Sequence, residues 1–165
     1  MIASVRRPYA LRGEHGMTLR ERLQGTSAPS ATLIVRMLVG AVFFLEGVKK
    51  FLFVEQWGAG RFARIGIPHP QIIGPFVGAV EIVCGLLLLV GLLTRLASIL
   101  LIADIAVAIA STKIPILLKS GFWQMEAEAR TDYSMLLGLI FLLWVGAGAC
   151  SIDARLGSRQ SESRG

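Results

Sequence analysis

The sequence predicts an all-α protein, a four-transmembrane-helix antiparallel bundle flanked by two polar tails. Its 165 residues are 54% hydrophobic with a mean hydropathy of +0.65, which is too apolar for an ordinary soluble domain of this size. Four apolar segments approach the length that crosses a bilayer, at about residues 31–53, 72–93, 96–111 and 133–152. We therefore expect a membrane domain over residues 31–153, with tails at 1–30 and 154–165.

The first tail is rich in Arg, Gly, Ser and Thr and contains no apolar run, which predicts disorder. Its Arg6-Arg7 pair is not followed by a short apolar core and a small-residue cleavage site, so we expect neither a signal peptide nor an export signal. Met17 opens a compact leader and is an alternative start.

The first apolar segment contains three ionisable side chains that are expensive in lipid, Glu46, Lys49 and Lys50. At helical spacing Glu46 lies one turn before both lysines, so the three groups share one face. That face is expected to point at protein or a wet cavity. Alternatively, the lysines mark the end of the helix and reach the headgroups, although a carboxylate has too short a stem to do so.

The connection after the first segment contains two prolines and several glycines, which predicts a structured turn. Trp57 is expected to anchor this turn at the membrane interface. His69 lies between Pro68 and Pro70 without a second ligand nearby, so we expect a surface histidine and no metal site.

The second segment places small residues and one acid on a single helical face, formed by Gly74, Gly78, Glu81 and Gly85. Small residues let a neighbouring helix approach closely. Counting about 1.5 Å per residue places Glu81 in the outer half of the membrane, near Glu46. The sequence therefore predicts a shared and nearly neutral site of two carboxylates and two lysines.

The connection at residues 91–95 is short enough to predict a hairpin, which makes the second and third segments antiparallel neighbours. Asp104 lies close to mid-depth in the third segment. It either joins the charged site or has a structural role, through a hydrogen bond to a neighbouring helix or a pair with Arg36. Pro115 is expected to end or kink this helix.

Residues 119–131 are amphipathic and are predicted to form a loop on the outer surface. Asp132 and Tyr133 then open the fourth helix, where an acid suits the positive end of the helix dipole. Cys84 and Cys150 lie at different depths, so we expect two packing residues and no disulfide.

The net charge of +6 is not accompanied by a basic helix or a nucleic-acid-binding motif, so we expect no nucleic-acid partner. Topology explains the charge better, because arginines concentrate before the first segment, in the 91–95 connection and in the second tail. The positive-inside rule then favours both termini in the cytoplasm.

Several stretches together resemble the DoxX family of small four-helix membrane proteins, over about residues 32–153. The matching residues are Leu45-Glu46-Gly47-Val48-Lys49-Lys50-Phe51, Gly66-Ile67-Pro68, 77–82, 85–97, Asp132-Tyr133, Gly146-Ala147-Gly148 and Ser151-Ile152-Asp153. The resemblance implies a multi-pass protein of the bacterial inner membrane. The family is named after a subunit associated with a terminal quinol oxidase and a thiosulfate:quinone oxidoreductase. Many members carry a histidine where this chain has Glu46, so chemistry that depends on that histidine is not expected here.

The leading hypothesis is a component of a quinone-linked membrane oxidoreductase. The candidate residues for binding a quinone head group or relaying protons are Glu46, Lys49, Lys50, Glu81, Asp104 and Tyr133. The two histidines lie outside the apolar segments and no flavin or iron–sulfur signature occurs, so a redox partner subunit or a soluble donor is expected to supply electrons. Besides the lipid bilayer, the expected partners are this redox subunit or further copies of the chain in a homo-oligomer. The alternatives are a non-catalytic scaffold or assembly factor, whose buried charges fix helix register, and a solute or proton pathway. The pathway is disfavoured because one short bundle lacks repeated, broken helices.

Overall fold

The computed structural model describes residues 30–156, and every regular element in that range is helical. The elements are α1 (Thr32–Leu52), α2 (Ala59–Arg64), α3 (Pro70–Val90), α4 (Thr94–Ala108), a π-helical segment (Ile109–Lys113), α5 (Ile114–Ser120) and α6 (Phe122–Val145). The predicted all-α class is confirmed for this part of the chain. The predictions for residues 1–29 and 157–165 lie outside the described residues.

Two helices in the described range are long and apolar enough to cross a membrane. One is α3, and the other is the continuous helix Thr94–Ser120, made of α4, the π-helical segment and α5. By contrast, α1 and α6 carry several charged residues each, which interrupt their apolar faces.

The packing of α1 against α3 depends on the glycine face predicted from the sequence. A Cβ atom on Gly47 would lie 2.6 Å from the carbonyl oxygen of Gly78, and one on Gly85 would lie 2.7 Å from the amide nitrogen of Phe44. Larger residues at these positions would push the two helices apart. The backbones therefore approach closely along most of the contact.

The connection between α3 and α4 is the predicted tight turn, with Gly91 at φ 70° and Leu93 at φ 50°. It makes α3 and α4 antiparallel neighbours. The bundle core lies between α1, α3, α4 and α6, and its buried apolar residues include Val39, Phe43, Leu88, Leu101 and Leu139.

The third helix continues past Pro115, so only the first of the two predicted effects, an end of the helix at this residue, is wrong. The π-helical segment precedes Pro115, which lies in the first turn of α5, where a missing N–H is tolerated. The segment also changes which side chain is buried. The buried face of α4 passes through Leu101 and Ile105, and the wider turn then brings Lys113 inward.

The fourth helix begins at Phe122, and the predicted loop at residues 119–131 is therefore wrong. Gly121, at φ 84°, separates α5 from α6, and the buried side chains of Met125 and Ala129 hold the early turns of α6. Asp132 consequently lies inside a helix and not at its N-terminus, so the predicted dipole role is wrong. At its other end α6 stops at Val145, short of the predicted residue 152.

Candidate functional site

Charged side chains from three helices meet in the interior of the bundle. Lys50 Nζ of α1 donates a hydrogen bond to Glu81 Oε2 of α3 at 2.5 Å, and the two side chains are only 13% and 6% exposed. The Asp104 carboxyl group of α4 lies within hydrogen-bonding range of the Glu81 carboxyl group, and both carboxyl groups lie near the Lys50 ammonium. We call Lys50, Glu81 and Asp104 the buried charge cluster.

The local geometry of the helices explains why these groups meet. Lys50 lies in the last turn of α1, and its Cβ is 3.2 Å from the position of a Cβ built on Gly78. Glu81 follows Gly78 by about one helical turn. Asp104 lies ten residues after Thr94, and Glu81 lies ten residues before Gly91. The hairpin between α3 and α4 therefore brings the two acids to the same depth.

The four charged residues that the sequence predicted to form one site form two separate ion pairs in the structure. Glu46 Oε1 accepts a hydrogen bond from Lys49 Nζ at 2.6 Å, and these side chains are 40% and 36% exposed. The Lys49 ammonium also lies 4.7 Å from the centre of the Trp57 ring, in a cation–π contact. Glu46 and Lys49 thus form a separate outer pair. Glu81 lies near the midpoint of α3.

Tyr133 makes a different contact from the one expected of a site residue. Its hydroxyl donates to the sulfur of Met125 at 3.5 Å, and the residue is 41% exposed. The neighbouring Asp132 pairs with Lys113 at 3.1 Å, and Lys113 also donates to the carbonyl oxygen of Glu128 at 2.8 Å. Sequence reasoning missed the Lys113–Asp132 pair, although a lysine within the apolar run at 96–118 was a usable signal.

Arg36 does not pair with Asp104, so the suggested contact between them is wrong. The Arg36 guanidinium is buried and donates to the carbonyl oxygens of Ala147 and Cys150, each at 2.6 Å. Asp153 in turn accepts hydrogen bonds from the backbone amides of Leu93 at 2.9 Å and Thr94 at 3.2 Å. These contacts hold the segment after α6 against the start of α4. Sequence reasoning did not find this role of Asp153.

Cys84 and Cys150 are free thiols, the first buried and the second exposed. Between residues 30 and 156 no group of three or more His, Cys, Asp or Glu side chains is arranged to hold a metal ion. The buried charge cluster combines an ammonium donor with two carboxyl groups, and such a set can hydrogen-bond a carbonyl oxygen and exchange protons with it.

The fold and the buried charge cluster together define a helical membrane protein with ionisable groups enclosed between its helices. Family comparison agrees with this class, because the DoxX family model matches residues 31–114. The chain belongs to the DoxX family.

Three curated relatives are similar over most of the chain. An uncharacterized membrane protein of Mycobacterium tuberculosis is 49% identical over 84% of this chain and 88% of its own length. A Bacillus subtilis protein, provisionally named oxidoreductase CatD, is 32% identical over 74% of this chain and 84% of the relative. An uncharacterized protein of Haemophilus influenzae is 31% identical over 76% of this chain and 90% of the relative. No solved structure gives a significant match.

Proposed function

We propose that this protein is a component of a quinone-linked membrane oxidoreductase. In this proposal the buried charge cluster binds a quinone head group and exchanges protons with it. The observation that carries the proposal is the 2.5 Å Lys50–Glu81 pair with Asp104 beside it, in the interior of a membrane bundle. The provisional oxidoreductase name of the Bacillus subtilis relative supports the same class of activity.

The chemistry of the cluster suits a quinone. Reduction of a quinone to a quinol consumes two electrons and two protons, and the protons are delivered to the two ring oxygens. The Lys50 ammonium can donate a hydrogen bond to one such oxygen, and the adjacent carboxyl groups can supply protons at hydrogen-bond distance. The electrons come from a redox partner protein, which is either a second subunit or a soluble donor.

We further propose that the chain crosses the bacterial inner membrane four times, with both termini in the cytoplasm. The spanning elements are α1, α3, the continuous helix Thr94–Ser120 and α6. Burial supports the inclusion of α1, because Lys50 and Arg36 both point into protein and not into lipid. Single cysteines placed in the two tails of a chain without its native cysteines test the orientation, since both are expected to react only from the cytoplasmic side.

The experiment for quinone binding compares wild type with two variants, each of which neutralises the acid of one buried ion pair. The full chain is purified in mild detergent, bound quinone is extracted into organic solvent, and the amount per chain is measured. Wild type and Asp132→Asn are expected to retain about one quinone per chain, whereas Glu81→Gln loses it. Asp132 is a matched control because it also pairs with a buried lysine, but outside the cluster. Equal quinone in all three proteins, or none in wild type, would contradict the proposal.

A scaffold or assembly function is the second candidate, and the contact between α1 and α3 favours it. The backbones of Gly47 and Gly78 meet directly beside the Lys50–Glu81 pair. An ion pair at such a contact can fix the register of two helices without doing chemistry. If wild type carries no quinone and Glu81→Gln folds normally but fails to join its membrane complex, the scaffold function is supported.

A further inference from the structure

We propose that Glu81 and Asp104 hold one exchangeable proton between them, with Lys50 as a fixed counter-charge. The buried charge cluster is then a store for a single proton in the middle of the bundle. The role of this store as the proton donor to a quinone rests on the proposed function. The existence of the shared proton is independent of that function.

The first argument is the hydrogen-bonding chemistry of the two acids. An ionised carboxylate has only acceptor oxygens, so two carboxylates cannot hydrogen-bond to each other. The Asp104 and Glu81 carboxyl groups nevertheless lie close enough for a hydrogen bond to form between them. A proton on either acid turns this close approach of two acceptor groups into a hydrogen bond. The Lys50 ammonium donates to Glu81 Oε2, which leaves the other Glu81 oxygen for Asp104.

The second argument is the balance of charge around the site. With both acids ionised, one lysine and two carboxylates would leave a net charge of −1 in the bundle, and one proton makes the cluster neutral. Among residues 30–156, no second cation is seen paired with either acid. Residues 133–145 of α6 contain no charged side chain, Cys84 of α3 near Asp104 is a thiol, and Glu46 is already paired with Lys49. An uncompensated buried charge is costly, so the neutral state is preferred.

The shared proton also sets how the site works during a reaction. When the proton passes to a ring oxygen of the reduced quinone, both acids become ionised and share the single Lys50 charge. The cluster must then take up one proton from water before it can donate again. Since each quinol needs two protons, the store is filled twice for each quinone reduced.

Infrared spectroscopy of the full chain in lipid nanodiscs tests the proposal. The wild-type protein is expected to show the carbonyl stretching band of one buried protonated carboxylic acid, and this band shifts after exchange into deuterated water. Glu81→Gln and Asp104→Asn are each expected to lose it, because the remaining carboxylate is neutralised by Lys50. Asp132→Asn is expected to keep the band. A wild type without the band, or a band of equal intensity in both cluster variants, overturns the proposal.

A measurement on unmutated protein keeps the test valid if a variant fails to fold. Carbon-13 NMR of the side-chain carboxyl carbons, in protein labelled at Asp and Glu, reports which acids are protonated. One protonated carboxyl distributed over Glu81 and Asp104 supports the store, and two ionised carboxylates refute it. Both spectra are recorded on quinone-free protein. A shared proton in a chain that never binds quinone would therefore leave this inference standing while the proposed function fails.

Discussion

Removal of Lys50 is expected to destabilise the protein more than removal of its partner Glu81. Without Lys50, the Glu81–Asp104 pair with its single proton leaves one uncompensated negative charge buried in the bundle. Without Glu81, the Lys50 ammonium and the Asp104 carboxylate balance each other. At the observed 2.5 Å separation, Coulomb attraction is about 7 kcal/mol for an effective dielectric constant of about 20. Desolvation offsets part of this, so Lys50→Met should cost about 3–5 kcal/mol.

A double-mutant cycle measures this asymmetry. Glu81→Gln alone exchanges one hydrogen-bonded partner for another, and we expect it to cost only about 1–2 kcal/mol. In the Lys50→Met/Glu81→Gln double variant, Asp104 keeps the proton and the cluster is again neutral, so its stability should lie close to that of Glu81→Gln alone. The assay is reversible unfolding in mixed detergent micelles. Equal costs for the two single changes, or additive costs in the double variant, would refute the reasoning.

Three further predictions concern the packing around the site. Gly47→Ala should lower the free energy of unfolding by about 1–3 kcal/mol, because its Cβ would lie 2.6 Å from the carbonyl oxygen of Gly78. Leu45→Ala, at an exposed position of the same helix, is the control, and equal effects would contradict close packing. Arg36→Gln should speed amide hydrogen exchange in residues 146–153, since two carbonyl oxygens lose their donor; unchanged exchange there would count against the contact. Asp153→Ala should cost about 0.5–2 kcal/mol in thermal unfolding, because two amides at the start of α4 lose their acceptor, and an unchanged melting temperature would rule this out.

Features set by local spacing could be predicted from the sequence. The glycine face of α3 repeats at helical intervals, and the connection at 91–95 is too short for anything but a turn, so both were found correctly. Glu81 lies on that glycine face and therefore had to point at a neighbouring helix. For the same reason a charged contact between Glu81 and the end of α1 was predictable, although the lysine that makes it was not singled out.

Other features depended on contacts between distant parts of the chain. Glu46 and Lys50 both lie in the charged stretch of α1, and only the position of α3 decides that Lys50 faces the interior while Glu46 pairs with Lys49. Arg36 and Cys150 are separated by 114 residues, so their contact left no local pattern. The start of α6 was misplaced because residues 122–131 mix apolar with charged residues and contain no apolar run, and their helix is held by burial of Met125 and Ala129.

The central claim is that Lys50 and Glu81 meet inside the bundle, and zero-length cross-linking tests it most directly. A membrane-permeable carbodiimide activates a carboxyl group, and an adjacent amine then forms an amide while the reagent takes up the water that is released. Mass spectrometry of the digested protein should find peptides containing residues 50 and 81 joined by an amide, with the loss of one water. This link should be absent from Lys50→Met, while Lys113 still links to Asp132. If Glu81 is activated and joins any lysine other than Lys50, the arrangement described for the site is wrong.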